Sequence, residues 1–406
     1  MQKKVLKNGL TVIYDERDTD SVAIEVLVKV GSNNEEDKTR GVSHFLEHML
    51  FEGTKSRSNK EIAQEIESVG GEMNAATSNE RTFFHVRILG KFIDKGLEIL
   101  ADMIKNSSFN EKEFEKERRI ILEEISMIQD DPKLFQFDFF LSRLFKKHPT
   151  KNPVIGTRES ISNMKKEDMV NYFKKFYVPK NMVLVIVGKA KDVFEKSEKF
   201  FGDVKSGDEF NIEDFEEIKD KEKGSYVLVK NIDHSYLIIG YKTVPRDHKD
   251  SYILDVIDSL LSRGFSSRLY DEVRNKRGLA YNVGAHHDSM STTGYFLSYL
   301  STDKKNLDEA RRILLEQFNL PGLNEGELKE AKTYIEGNLK IRHENNKDRA
   351  DFIGFWELIG DCKKAEEYFK EIRKVSLSDV KRIVKKYFDG NYTEILLEQN
   401  NKTITL

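Results

Sequence analysis

His44, Glu47 and His48 stand in the order H-x-x-E-H within residues 41–54, GVSHFLEHMLFEGT. On a helix, positions i, i+3 and i+4 share one face, so both imidazoles and the carboxylate point the same way. Two imidazoles aimed together suit a small tetrahedral cation. A carboxylate beside them, left off the metal, suits a base that takes a proton from a water the cation activates. That apparatus can hydrolyse an unactivated amide, and the order inverts the H-E-x-x-H helix motif of zinc proteases. Spacing alone leaves a chance occurrence open in a chain that is 34% charged. The neighbours Val42, Phe45, Leu46, Met49 and Leu50 favour the metal, because they predict a buried helix. Two histidines and a glutamate there are costly unless paired or metal-bound.

A third ligand has to come from elsewhere. Residues 111–131, EKEFEKERRIILEEISMIQDD, read as a helix. At about 100° per residue, Phe114, Ile121, Ile125 and Ile128 form an apolar stripe, and Glu117 and Glu124 share its flank. Glu123 projects to the opposite side, towards solvent. Glu124 is therefore the better ligand of that pair, and Glu117 is placed to orient a histidine ring or a bound water. The competing reading is an ordinary solvated charged helix.

The elements that must position these groups occur twice. Val22–Val30 precedes the acidic loop SNNEED and the motif helix, and Tyr236–Tyr241 precedes PRDHKDS and the apolar pattern YILDVIDSLL. GGEMNAATSNERTFFHVRIL and RGLAYNVGAHHDSMSTTGYFLSYL each read as a hairpin leading into a helix. The expected class is α+β: two homologous α/β halves, each an antiparallel sheet with helices packed on one face, in a duplicated fold. The halves are assigned to 1–205 and 223–406, joined by an acidic linker at 206–222. With Gly53 matched to Gly264, the second half has Asp255, Asp258 and Ser259 where the first has His44, Glu47 and His48. One metal site is expected, in the first half.

Composition excludes several classes. The 406 residues exceed one ordinary core. The net charge of −3 gives no nucleic-acid or anionic-membrane footprint. Cys362 is the only cysteine, so an intrachain disulfide and a cysteine-built zinc site are both excluded. The N-terminus alternates like a strand rather than a signal peptide, and no apolar run is long enough to span a bilayer. A cytoplasmic protein without a membrane partner is expected. No nucleophile elbow, P-loop or dinucleotide fingerprint is found. Among the other histidines, His286 and His287 alternate faces if they lie on a strand, His85 reads as structural, His148 sits in a turn, and His343 lies in a helical stretch.

Taken together, these motifs resemble the inverzincin metallopeptidases, the family of pitrilysin, insulin-degrading enzyme and the mitochondrial processing peptidase. GVSHFLEHMLFEGT resembles the family's motif helix, ERRIILEEI its third-ligand helix, and GGEMNAATSNERTFF its substrate-binding edge strand. NPVIGTRESISNM and YFKKFYVPKNMVLVIVG match further segments. The resemblance implies one zinc per chain held by His44, His48 and Glu124, with Glu47 as base and proton shuttle and Glu117 as auxiliary acid. It implies that Asn74, Ala75 and Thr77 contact an extended peptide by strand addition. In the second half, RGLAYNV carries Arg277 and Tyr281, which the resemblance assigns to gripping substrate and stabilising the oxyanion.

The expected function is zinc-dependent endopeptidase action on short or unfolded peptides inside a chamber formed by two chains. Both the metal motif and the Arg/Tyr pair occur in this chain, which favours a homodimer. A heterodimer with a related inactive subunit is the alternative assembly. A non-hydrolytic structural subunit is the alternative function. The ligand set favours zinc, with manganese or cobalt as other occupants.

Overall fold

The computed structural model describes residues 1–210, 215, 217 and 223–400. Six strands make the first sheet: β1 (Gln2–Val5), β2 (Thr11–Asp15), β3 (Ser21–Val28), β4 (Glu72–Thr77), β5 (Thr82–Leu89) and β6 (Met182–Gly188). Their spatial order is β1-β2-β6-β3-β5-β4, so β4 is an edge paired only with β5 among the described residues. Five strands make the second: β7 (Gly224–Lys230), β8 (Ser235–Thr243), β9 (Ala280–Ser289), β10 (Gly294–Thr302) and β11 (Thr393–Gln399), in the order β7-β11-β8-β10-β9.

The central strands of the first sheet are buried on both faces, whereas β1 is exposed along its length and no residue of β4 is fully buried. β6 is buried throughout and β3 from its second residue onward, as expected for continuous apolar runs such as MVLVIV. One face carries the motif helix Val42–Phe51 and helix Ile93–Asn106, whose Gly96 lies so close to Ile24 that a Cβ would sit 2.7 Å from it. The other face carries helix Asn346–Ile359. Its Ala350 and Ile353 pack on Ile13, Ala23, Leu27, Val183, Val185 and Val187. The second sheet repeats this plan. Helices Asp250–Ser262 and Leu377–Tyr387 contact β9 and β8 respectively, and helix Pro132–Leu144 packs Phe140, Leu141 and Leu144 on Ile238, Tyr295, Leu297 and Ile395.

The α+β class and the duplication are therefore present, with two corrections of detail. Each sheet is mixed, because β2 runs parallel to β6 and β7 parallel to β11. These pairs are joined through long connections, so no hairpin imposes antiparallel order. Helices also cover both faces of each sheet. The second cover of each sheet comes from the other half of the sequence, beyond the reach of the local pattern.

The two compact units are accordingly built from alternating segments of the sequence. One comprises Met1–Ser126, Asn152–Glu213 and Lys340–Ala365; the other comprises Met127–Lys151, Asp214–Leu339 and Glu366–Leu406. Of the predicted linker 206–222, residues 206–210, 215 and 217 are described, and none of these lies in a helix or strand. The rest of that linker lies outside the described residues. No helix among the described residues is long and apolar enough to cross a membrane.

Candidate metal centre

Local sequence explains how the motif helix presents its three polar groups. Val42, Phe45, Leu46, Met49 and Leu50 are all buried and seat the helix, leaving His44, Glu47 and His48 together on the remaining face. Helix Glu111–Asp130 docks alongside by stacking Phe114 on Phe45, with ring centroids 4.5 Å apart, and by burying Ile121 and Ile125. That contact turns the Glu117–Glu124 flank towards the histidines, while Glu123 is exposed.

His44 Nε2 and His48 Nε2 each lie 3.8 Å from Glu124 Oε2, and the donor atoms of all three residues fall within 4.8 Å of one another. These separations are too long for hydrogen bonds, so the donors do not satisfy each other. A tetrahedral zinc with bonds of about 2 Å needs donors roughly 3.3 Å apart, a difference that small side-chain rotations close. His48 Nδ1 meets Glu117 Oε2 at 2.9 Å, which fixes the ring and leaves Nε2 facing Glu124. His44 Nδ1 is buried without a hydrogen-bond partner among the described residues; its ring packs 4.6 Å from that of His48. The donor set fits zinc.

Electrostatics sort the groups by task. Burial, with His48 beside it, pulls the His44 imidazole down to about 3, so it is neutral with a lone pair free to ligate. Burial also opposes charge on His48. The Glu117 hydrogen bond and the charges of Glu124, Glu117 and Glu47 outweigh it and hold His48 above its ordinary value. The site thus attracts positive charge at the shared position. Burial raises Glu47 above the usual carboxylate range, although a 2.5 Å hydrogen bond donated by Thr77 Oγ1 works the other way. For Glu117, burial is outweighed by His48 and by the Lys116 ammonium, and the carboxyl is held below its ordinary value. Lys116 also bridges Glu52 at 2.6 Å and Glu113 at 2.8 Å.

The edge strand lies beside this group, tied to it through Thr77. Asn74 Oδ1 accepts the neighbouring Ala75 N–H at 2.8 Å. Sequence reasoning placed Thr77 among the peptide contacts and missed its hold on Glu47. It also missed Glu35, whose carboxylate caps the motif helix. The acidic loop was visible in the sequence, but nothing there said that one of its carboxylates folds inward.

Arg277 and Tyr281 lie in the other unit. Arg277 is engaged by Glu272, at 2.5 Å to its carboxylate and 2.7 Å to its carbonyl. The Tyr281 side chain is exposed, and the Arg274 guanidinium sits 4.2 Å from its ring centre. The positions matching the metal motif are filled internally. Asp255 is held by Arg246 at 2.7 Å, His287 at 2.7 Å and Tyr368 at 2.8 Å. Burial and the Asp255 charge push Asp258 up to about 8, and Ser259 bonds the Ala331 carbonyl. His287 is buried on this network, whereas its neighbour His286 is exposed. His85 and His343 are buried, and His148 bonds Thr292 at 2.9 Å. A further cluster, Glu357, Asp361 and Cys362, is closed by Lys3, which pairs with Glu357.

Comparison with known proteins agrees with this arrangement. Residues 11–158 match the family described as insulinase (peptidase family M16), and residues 163–334 match the peptidase M16 inactive domain. An uncharacterized zinc protease of Rickettsia felis is 33% identical over 403 residues, covering 98% of this chain and 97% of its own. An uncharacterized zinc protease of Bacillus subtilis is 30% identical over 404 residues, covering 98% of each. The crystal structure of a protease from Helicobacter pylori superposes with a TM-score of 0.92 at 27% identity, covering 98% of this chain and 99% of that one.

Proposed function

The chain belongs to the M16 peptidase family, and on that premise we propose that it is a zinc-dependent endopeptidase acting on short or unfolded peptides. The observation that carries this reading is the convergence of His44, His48 and Glu124 on one point, with Glu47 held beside it and off the ligand set. Zinc bound there would supply Lewis acidity, polarising the scissile carbonyl and making a water easier to deprotonate.

The chain's own groups do the rest. Glu47, held above the ordinary carboxylate range, takes the proton of the attacking water and delivers it to the leaving amine. Thr77 fixes the Glu47 carboxylate, and Glu117 fixes the His48 ring. The open side of β4, around Asn74 and Ala75, pairs with an extended peptide through backbone hydrogen bonds, displacing the Asn74 side chain from the Ala75 N–H. Such pairing reads backbone more than side chains and favours flexible substrates. The family resemblance assigns Arg277, which here bonds Glu272, to anchoring a substrate carbonyl, and the exposed Tyr281 hydroxyl to stabilising the oxyanion. The family resemblance supports a working unit of two copies enclosing a chamber.

The test pairs Glu47→Gln with zinc analysis. The variant should keep its zinc and lose cleavage of a quenched fluorescent peptide, and the wild-type activity should vanish with a chelator and return with zinc. Turnover by Glu47→Gln refutes the assigned base. Light scattering on the same sample, compared with its activity, tests the two-copy assembly.

A further inference from the structure

The motif helix starts without a cap of its own. Gly41 stands at its N-terminus in the left-handed region (φ 90°), with no side chain to accept the first free N–H groups. Glu35, six residues upstream, supplies the missing acceptors. Its carboxylate takes the Gly41 N–H at 2.7 Å and the Ser43 N–H at 2.8 Å, and the residue is 6% exposed. A carboxylate enclosed this way is costly unless hydrogen-bonded, and the positive end of a helix is where it is best tolerated. Ser43 immediately precedes His44. Its hydroxyl also favours the ionised Glu35 carboxyl and lies 2.7 Å from Tyr172 Oη, which donates in turn to the Gly31 carbonyl at 3.3 Å.

The same loop grips the substrate strand. Ser32 N–H donates to Ser78 O at 3.1 Å and Asn33 N–H to Asn79 O at 2.7 Å, while Asn79 Nδ2 reaches Ser32 Oγ at 3.2 Å. Gly31 packs against this turn so closely that a Cβ would stand 2.2 Å from Ser78 O. Ser78 directly follows Thr77, the residue that holds Glu47. Residues 31–35 therefore hold the first turn of the motif helix at one end and the end of β4 at the other.

We infer that Glu35 is a positioning residue that keeps the motif helix in register with β4, setting His44 as a ligand and Glu47 against Thr77. This inference rests on the zinc-peptidase reading. Glutamine has the same size but offers one acceptor in place of two, and turns an NH2 towards a backbone donor. The test uses the full chain as wild type, as Glu35→Gln and as Phe201→Leu, a destabilised control in helix Val193–Phe201. For each, the zinc dissociation constant is measured by competition with a chromogenic chelator, kcat with a quenched peptide, and the melting temperature without metal.

Glu35→Gln should bind zinc about tenfold or more weakly, the loss typical when a ligand's support is removed. Its kcat should fall as well, and both losses should exceed those of Phe201→Leu at a comparable drop in melting temperature. Zinc binding and kcat within about twofold of wild type, or lowered only as far as in the control, would overturn the inference. Should Glu35→Gln yield no soluble protein, Glu35→Asp, which draws the charge back by one methylene, is judged by the same criteria. A wild type that binds no zinc sinks the reading beneath. A wild type that binds and cleaves, beside an unaffected variant, sinks this inference alone.

Discussion

Replacing Thr77 by valine isolates the one contact that separates a zinc site from a working base. Valine keeps the β-branched shape, so β4 and its pairing with Thr82 should persist, and only the hydroxyl on Glu47 is lost. A hydrogen bond to a charged group is worth roughly 1.5–3 kcal/mol. If that energy holds Glu47 in place as the proton moves, its loss lowers kcat by roughly ten- to a hundred-and-fifty-fold. Zinc affinity should stay within about twofold, because the Thr77 hydroxyl donates to Glu47 and, among the described residues, makes no hydrogen bond to His44, His48 or Glu124, and rate and metal binding would then be separated. Steady-state hydrolysis of a quenched peptide gives kcat and KM, and metal competition gives the zinc constant on the same protein. Thr77→Ser restores the hydroxyl and should recover most of the rate. A Thr77→Val enzyme with unchanged kcat, or a serine variant as slow as the valine one, would show that the 2.5 Å contact does not position the base.

Other perturbations give equally definite outcomes. Glu117→Gln removes the carboxylate from His48 Nδ1 and should weaken zinc binding roughly ten- to a hundredfold in a competition titration. Tyr281→Phe should slow turnover while zinc content and melting temperature stay put, since that side chain is exposed. Gly354→Ala would set a Cβ 2.6 Å from Leu27 and should cost about 1–3 kcal/mol in a denaturant melt, which tests the packing of helix Asn346–Ile359 on the first sheet. Burial pulls His148 down to about 4, so its neutral form is favoured on folding. The stability this contributes is complete above the unfolded value near 6.5 and drains away as the pH falls towards 4. Between pH 7 and pH 5 about 2 kcal/mol should be lost, and that loss should be missing from His148→Gln in paired urea titrations.

What the sequence determined was local and periodic. The i, i+3, i+4 spacing placed His44, Glu47 and His48 on one helix face whatever the surrounding fold. The 100° rotation chose Glu124 over Glu123 and set Glu117 two turns away on the same flank, where it meets His48. Duplication was likewise legible, because each strand and helix pattern recurs in order. Tertiary structure decided whatever depends on contacts between segments far apart in the chain. Helix Asn346–Ile359 covers the first sheet and Pro132–Leu144 the second, although either apolar stripe would suit either surface as far as periodicity can tell. The inward turn of Glu35 and the reach of Thr77 to Glu47 arise from backbone geometry at Gly41 and at the end of β4. A carboxylate in an acidic loop reads as solvated until folding brings unpaired N–H groups to meet it.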